Sequence, residues 1–365
     1  MAAEAVRQNA CVVQVRARSL ARGRALVLPI FLGFSTPCLS QSAPDDTPQS
    51  LSIATRPITR FRIGSDEMHF GPLEFSGGLE MTSGDRDFGS LSSFRFIEPG
   101  GRFIGVADTG FWFFGSIAHD EAARPAGISD FTMMPMAVPE GYGGDRKWVT
   151  DAESIALRGE RIVVGFERLH RISEFRLEPN WMDAQKHPPE KMLGAVADLD
   201  FLIPVHELRD NQGFETIDFS PQGGALSGAL VAVTERSIDE KGNFFAAILD
   251  GPEAGVFTVV RHGEFDITDG AFLPDGDLLL LERSFSVTKG VAMRLRRIEA
   301  ETIRRGGVAD GPVLLEADMA YQIDNMEALD VWQRDDGATM ISLMSDDNHS
   351  LLQRNLYLEF RLVEE

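Results

Sequence analysis

An acidic pattern that recurs five times constrains the fold of this chain more than any other feature. In each repeat one acidic residue opens a short apolar run, and a second acidic residue closes the apolar run that follows. The openers are Glu80, Glu153, Glu215, Asp269 and Glu327, and the closers are Asp108, Glu167, Glu235, Glu282 and Asp346. Successive openers are about 60 residues apart, a period typical of modular β architectures.

Within the repeats, short β-branched or aromatic runs alternate with turns rich in Gly, Asp, Asn and Pro, which predicts strands. The fourth repeat is the clearest, with strands predicted at 267–273, 278–281, 291–298 and 312–315. The strands predicted for the first repeat are 78–82, 103–107, 111–117 and 131–136. The fifth repeat supplies only three strands, at 328–332, 339–344 and 356–362.

These repeats predict an all-β fold, a single β-propeller of five four-stranded blades, and six blades are compatible with the same pattern. Residues 58–63 are predicted to complete the last blade as its fourth strand. Closure by an N-terminal strand removes exposed sheet edges. A pair of β-sandwiches is the alternative fold, but it does not explain why acids match at both ends of each hairpin.

The first 43 residues have the pattern of an export signal peptide. Five arginines between Arg7 and Arg24 precede an apolar stretch at 25–34, and small residues follow around Ser40 and Ala43. The apolar stretch is too short to span a bilayer as a helix. We therefore expect residues 1–43 to be removed, leaving a propeller domain at 44–365 that is periplasmic or secreted and not stably inserted in a membrane. A disordered basic leader is the alternative.

Composition narrows the possible chemistry further. Both cysteines, Cys11 and Cys38, lie in this leader, so the mature domain would have neither disulfides nor thiolate chemistry. The chain has 56 acidic residues against 35 lysines and arginines, a net charge of −21. Because nucleic-acid binding requires basic surface, no nucleic-acid partner is expected. An acidic chain instead attracts cations.

The acids of the repeats are predicted to converge. In a propeller, the start of the first strand and the end of the second strand of each blade lie on the same face of the wheel. The openers should therefore surround the mouth of the central channel, with the closers beside them. At about 4 Å and an effective dielectric of about 20, each close pair of carboxylates costs roughly 4 kcal/mol. A bound cation, pairing with arginine or protonation would each relieve this repulsion.

Oxygen ligands without cysteine favour calcium or magnesium over zinc. A cation bound by these acids is therefore expected to be calcium or magnesium, and no organic cofactor is expected. The predicted metal ligands are Glu80, Glu153, Glu215, Asp269, Glu327, Asp108, Asp346 and Asp347. The opposing interpretation, in which arginines clasp these acids and no metal binds, stays open at this point.

A dense group of functional side chains follows the second strand of the second repeat, at Glu167, Arg168, His170 and Arg171. Guanidinium groups suit phosphate and carboxylate ligands, so Arg168, Arg171 and Arg283 are predicted to bind substrate. Glu167 and His170 are the predicted catalytic residues, acting as general base. An exposed charged turn is the alternative interpretation of this group.

Several common catalytic motifs are absent from the sequence. It has no Gly-x-Ser-x-Gly nucleophile elbow, no phosphate-cradling Gly-rich loop and no His-Glu-x-x-His helix.

The ordered set of acidic segments resembles the phytase-like family, a group of bacterial secreted β-propeller proteins labelled for the esterase-like activity of phytase. The matching segments are 76–80, 151–153, 166–171, 213–215, 269–277, 281–283, 324–327, 345–348 and 353–356. The resemblance covers roughly residues 74–362 and departs from the family pattern at His349 and Asn355, where Phe and Thr are typical. It implies a propeller and a phosphoester or ester hydrolase. Similarity to propeller phytases implies calcium held by acidic side chains at the channel mouth.

Two functions are compatible with the sequence. The first is an exported, phytase-like propeller hydrolase, a calcium-assisted phosphoesterase or esterase acting on a small phosphorylated or ester substrate in the acidic central funnel. The second is a non-catalytic periplasmic binding or scaffold propeller, in which the acid–arginine sets lock the blades together.

Overall fold

The computed structural model describes residues 47–138, 146–176, 194–210 and 212–363. Most of the regular structure in these residues belongs to five predominantly antiparallel sheets. The inner edge strands of the five sheets contact one another in a closed cycle, as the first strands of propeller blades do. The predicted all-β propeller with five blades is confirmed.

The strands of each blade run in order from the innermost outward. Blade 1 contains Leu91–Phe96, Arg102–Ala107, Phe111–His119, Pro125–Pro135 and Gln49–Ser50. Blade 2 contains Ala152–Arg158, Arg161–Phe166, Arg171–Arg176 and Ala197–Leu199. Blade 3 contains Phe214–Phe219, Leu230–Ile238, Phe244–Ile248, Gly255–Val259 and the parallel strand Val308–Ala309.

Blade 4 contains Asp266–Phe272, Leu278–Ser286, Gly290–Ile298 and Val313–Ala317. Blade 5 contains Asn325–Gln333, Thr339–Asp346, Asn355–Leu362, Leu73–Thr82 and Ala54–Ile58, with His69–Phe70 also paired to Leu73–Thr82. Helical structure in the described residues is limited to the α-helix Arg146–Thr150 and the 3-10 turns Val205–Glu207 and Ala300–Thr302.

The core of the described residues lies between the blades, in five apolar clusters that each join two neighbouring sheets. Between blades 1 and 2, for example, Trp112 packs edge-on against Phe175 with ring centroids 5.0 Å apart. Blades buried on both faces favour continuous apolar strands. The buried run 278–281 in blade 4, which is entirely leucine, is such a strand.

An N-terminal strand closes the ring, as predicted, but it is a different strand from the one expected. Leu73–Thr82 pairs antiparallel with Asn355–Leu362 and is the fourth strand of blade 5. The prediction of 58–63 for this place is wrong, since Ala54–Ile58 pairs on the outer side of Leu73–Thr82. Because blade 5 contains both an N-terminal and a C-terminal strand, strand pairing within this blade closes the ring.

The prediction of 78–82 as the first strand of blade 1 is also wrong. The innermost strand of that blade is Leu91–Phe96. Leu79 and Met81 are buried on either side of Glu80, which gives that segment the same local pattern as a true opener. Leu91–Phe96 instead contains Ser92, Ser93 and Arg95, polar residues that are buried beside the channel.

The predicted export signal, residues 1–43, lies outside the described residues. Among the residues that are described, no helix has the length and apolar character needed to cross a bilayer.

Candidate functional site

The first strand of every blade contains a β-bulge near its start, where the register against the second strand shifts by one residue. Because the bulge occupies the same place in each blade, the bulged residues surround one end of the channel. We call these residues the inner ring: Ser92, Glu153, Glu215, Thr268 and Glu327. Bulges commonly re-aim side chains beside active sites.

A second set of equivalent residues lies at the ends of the second strands. In each blade, the residue just before the bulge pairs with a residue of the second strand. The next residue along that second strand belongs to this set. We call this set the outer ring: Asp108, Glu167, Glu235, Arg283 and Asp346. Blade 4 therefore contributes Thr268 and Arg283, whereas blades 2, 3 and 5 each contribute two acids.

Side chains from different blades meet at this mouth. Carboxylate oxygens of Asp151, Glu153 and Glu167 lie within 4.8 Å of one another. A second triad, Glu167, Glu215 and Glu235, meets the same limit and shares Glu167 with the first. The predicted convergence of acids from distant segments is thus observed for blades 2 and 3.

Basic side chains hold the acids at the edge of the mouth. Lys147 Nζ lies 2.9 Å from Asp108 Oδ2, and Arg168 Nε lies 2.5 Å from Asp151 Oδ2. Arg283 donates to Glu327 Oε1 at 2.7 Å. Arginine pairing therefore relieves part of the repulsion, as one of the sequence interpretations expected.

The two triads contain four glutamates, Glu153, Glu167, Glu215 and Glu235, for which the described residues provide no ion-pair partner. Burial raises the pKa of Glu153 and Glu215 well above the usual range, and neighbouring carboxylates add to the effect. Burial, with Asp151 beside it, raises the pKa of Glu167 to about 7. Burial and Glu167 raise that of Glu235 to about 8. Packing these acids together opposes their ionisation.

On the blade 5 side, Asp346 accepts a hydrogen bond from the Ser90 backbone N–H at 2.5 Å. Burial, and then the Glu327 carboxylate, raise the pKa of Asp346 to about 7. The predicted ligand Asp347 accepts from the backbone N–H of His349 at 3.0 Å and packs against Gly89, so it lies in the loop beside the mouth.

Below the rings, Arg95 fills the channel. Its guanidinium donates to the Asp269 carboxylate at 3.2 Å and to backbone carbonyl oxygens of three other blades, those of Ile217 at 3.2 Å, Leu329 at 2.7 Å and Gly270 at 2.8 Å. The side chain is only 4 % exposed. Arg95 thus separates the mouth from the rest of the channel.

Three predicted members of the acid rings lie elsewhere. Asp269 follows the bulged Thr268, and its carboxylate accepts a hydrogen bond from Arg95. Glu282 is one residue before the outer-ring position, and its carboxylate faces Arg294 and Arg296 between strands. Glu80 belongs to the closing strand, where it pairs with Arg56. For Asp269 and Glu282 the error arises because a strand turns successive side chains to opposite faces, so a shift of one residue changes the surroundings completely. For Glu80 the error arises because residues 78–82 belong to blade 5 and not to blade 1.

Of the predicted catalytic and substrate-binding residues, Glu167, Arg168 and Arg283 lie at the mouth. His170 and Glu167 both lie against Gly213, and burial lowers the pKa of the His170 imidazole. Arg171 instead donates to the Val149 carbonyl oxygen and lies over the Phe166 ring, 3.6 Å from its centroid.

Sequence reasoning missed Arg95 because its alternation with Phe94 and Phe96 has the pattern of a strand with one exposed face. It also missed Asp151 and Lys147 as members of the mouth. Asp151 is 2 % exposed and precedes the first strand of blade 2, and Lys147 is on the short helix before it. The signal for Asp151 was present, since it stands two residues before an opener.

Comparison with known proteins gives a family match. Residues 86–349 match the Phytase-like family, described as esterase-like activity of phytase. The chain is similar to the crystal structure of an endo-arabinase from Bacteroides thetaiotaomicron, at 12 % identity and a TM-score of 0.45, over 76 % of this chain and 96 % of that one.

It is also similar to the PQQ-bound aldose sugar dehydrogenase from Streptomyces coelicolor, at 12 % identity and a TM-score of 0.37, over 85 % and 99 % of the two chains. No curated protein matches the sequence. Because the family match spans most of the chain, and the five-bladed fold agrees with it, the chain belongs to the Phytase-like family.

Proposed function

We propose that this protein is a calcium-assisted hydrolase of phosphate or carboxylic esters, with its site at the channel mouth. The observation that carries the proposal is the pair of overlapping carboxylate triads around Glu167. Of their four glutamates, Glu167 and Glu215 are buried and Glu153 and Glu235 are partly buried. The four repel one another and form no ion pair with a basic side chain within the described residues. A site built in this way is stabilised by a bound cation.

The donor set fits calcium. Calcium takes six to eight oxygen ligands at roughly 2.3–2.6 Å, so two ligands of one ion are at most about 5 Å apart. The oxygens of each triad satisfy this limit, at 4.8 Å or less. Asp151, Glu153, Glu167, Glu215 and Glu235 would hold the ion. When bound, calcium would neutralise and polarise a phosphoryl or ester oxygen.

The protein's own residues supply orientation and proton transfer. Arg283 and Arg168 stand at the edge of the mouth, where their guanidinium groups would orient an anionic substrate. Glu167 belongs to both triads and lies with His170 against Gly213, so this pair is placed to accept the proton of the attacking water. Arg171 lies over Phe166 and has no part in the proposal.

The substrate is proposed to be a small phosphorylated or ester molecule, because Arg95 fills the channel below the mouth and leaves little depth for a larger one. We also propose that the protein is periplasmic or secreted, on the basis of the basic, apolar and small-residue pattern in residues 1–43.

The decisive experiment measures release of product from nitrophenyl phosphate, nitrophenyl acetate and inositol phosphates, with excess calcium or with a chelator. We expect turnover that requires calcium and that falls about 10- to 100-fold in Glu215→Gln. Glu80→Gln is the matched control, since Glu80 lies in the closing strand and should leave turnover unchanged. Absence of turnover on every ester in excess calcium would reject the proposal.

A scaffold function has one observation in its favour, the basic clasps on Asp108, Asp151 and Glu327. If the acids serve only to lock blades together, Glu153→Ala and Glu327→Ala will lower the melting temperature equally with and without calcium. A calcium-induced rise in the melting temperature of the parent protein that both variants lose would argue against this function.

A further inference from the structure

A groove of about 1000 Å³ adjoins the mouth. Its two sides are the hairpin joining the second and third strands of blade 4, and the loop 347–354 of blade 5. Arg283 and Asn325 line the groove and also bracket Glu327 at the mouth, so the two sites are continuous. A molecule bound at the mouth can therefore extend into this groove.

The groove exposes large apolar side chains to water. Phe285 is 72 % exposed and Leu352 is 93 % exposed, and both line the groove from opposite sides. Phe265 lines it as well, held by the Arg294 guanidinium 4.1 Å from its ring centroid. Covering such side chains with an apolar ligand group is favourable.

The groove lining has a small excess of basic residues, in contrast to the chain as a whole. Arg236, Arg283 and Lys289 line it, against Glu264 and Asp266. Asp266 is engaged by Arg236 at 3.3 Å and by Arg261 at 2.9 Å. Lys289 is exposed and forms no ion pair with the described residues. The lining therefore complements a ligand that is both anionic and apolar.

We propose that this groove binds the hydrophobic group of an anionic, amphiphilic ester whose reacting ester lies at the mouth. This names the substrate class and rests on the proposed function. A small molecule fits better than a membrane surface, because the apolar side chains line a concavity.

The test is equilibrium binding of methyl-, phenyl- and naphthylphosphonate by calorimetry in excess calcium. Phosphonates are not hydrolysed, so binding is read without turnover. We expect naphthylphosphonate to bind tenfold or more tightly than methylphosphonate, in line with the apolar surface that it buries. In the double variant Phe285→Ser with Leu352→Ser, the affinity for naphthylphosphonate should exceed that for methylphosphonate by about twofold or less. The affinity for methylphosphonate should be unchanged.

Val287→Ser is the matched control. Val287 is 94 % exposed on the same hairpin but is not part of the groove lining, so its loss should leave the series unchanged. Methylphosphonate binding with no gain from the naphthyl group overturns this inference and leaves the proposed function standing.

If no phosphonate binds, the phosphate-ester form of the proposed function fails, and the groove is then tested alone with anilinonaphthalene sulfonate in the presence of chelator. Dye fluorescence that the double variant loses supports the groove, and equal fluorescence in both proteins rejects it. Sedimentation with neutral and anionic vesicles completes the test. Vesicle binding lost in the double variant, without a naphthyl gain, would make these side chains a membrane contact and overturn the proposal.

Discussion

Arg95 connects several blades across the interior of the molecule. It is three residues after the bulge of blade 1, and the residues at the same place in blades 3 and 5 are Asp218 and Asp330, each 4.0 Å from its Nε. In blades 2 and 4 the equivalent residues are Ala156 and Ala271, which leave room for the guanidinium. Arg95 therefore neutralises a layer of buried acids and ties four blades together.

At the residue scale we predict that Arg95→Met destabilises the protein by about 3–5 kcal/mol, because it leaves buried carboxylates without their partner. Burial already raises the pKa of Asp269 to about 6 and that of Asp330 to about 7 despite Arg95. Urea unfolding at pH 8 measures the loss. The control Arg56→Ala removes an exposed ion pair with Glu80 and should cost about 1 kcal/mol or less.

A second variant separates lost charge pairing from lost volume. Arg95→Met combined with Asp269→Asn removes one of the stranded carboxylates and should recover part of the stability. Equal unfolding free energies for Arg95→Met and Arg56→Ala would show that Arg95 does not stabilise the layer of buried acids.

At the scale of elements, closure of the ring depends on one strand of blade 5. Leu73–Thr82 lies between Asn355–Leu362 and Ala54–Ile58, so it joins the N-terminal part of the chain to the last blade. Gly78 sits where the strands come closest: a Cβ there would lie 2.6 Å from the Tyr357 carbonyl oxygen and 2.8 Å from Leu358 Cδ2. The closure thus depends on a residue without a side chain.

We predict that Gly78→Ala lowers the free energy of unfolding by about 1–3 kcal/mol, the usual cost of overpacking. Gly127→Ala is the control, because Gly127 also lies in a strand but has nothing within 4 Å of its would-be Cβ. Denaturant unfolding compares the two. Equal stability of both variants would mean that the closing strand can shift without loss.

At the scale of the whole molecule, the charge of the mouth couples stability to pH and calcium. The folded protein raises the pKa of Glu167 to about 7 and of Glu235 to about 8, against about 4.3 for glutamate in an unfolded chain. As pH rises through this window the unfolded chain loses these protons first. The metal-free fold is therefore most stable at the acidic end of the window and loses stability towards pH 8.

We predict that the melting temperature in chelator falls by about 5 °C between pH 5 and pH 8. Calcium should reverse the fall at pH 8 and have little effect at pH 5, because it binds the ionised carboxylates. Differential scanning calorimetry provides the measurement. Glu235→Gln should flatten the profile in chelator, and a melting temperature that rises with pH in chelator would contradict the coupling.

The sequence by itself determined the fold and the convergence of acids from separate blades. Repeated acid-bounded hairpins require a closed array of blades, and a closed array brings the hairpin ends to one face whatever the details of each blade. Glu153, Glu167, Glu215 and Glu235 were identified in this way, although they come from separate strands.

Only the tertiary structure decided the register. A strand alternates its side chains between two faces, so neighbours such as Glu282 and Arg283 have opposite surroundings in the fold. The sequence does not show which of the two faces the mouth. Arg95 and Leu91–Phe96 were hidden for a related reason. Polar residues on an innermost strand look solvent-exposed until the other blades surround them, and those blades come from segments far away in the chain.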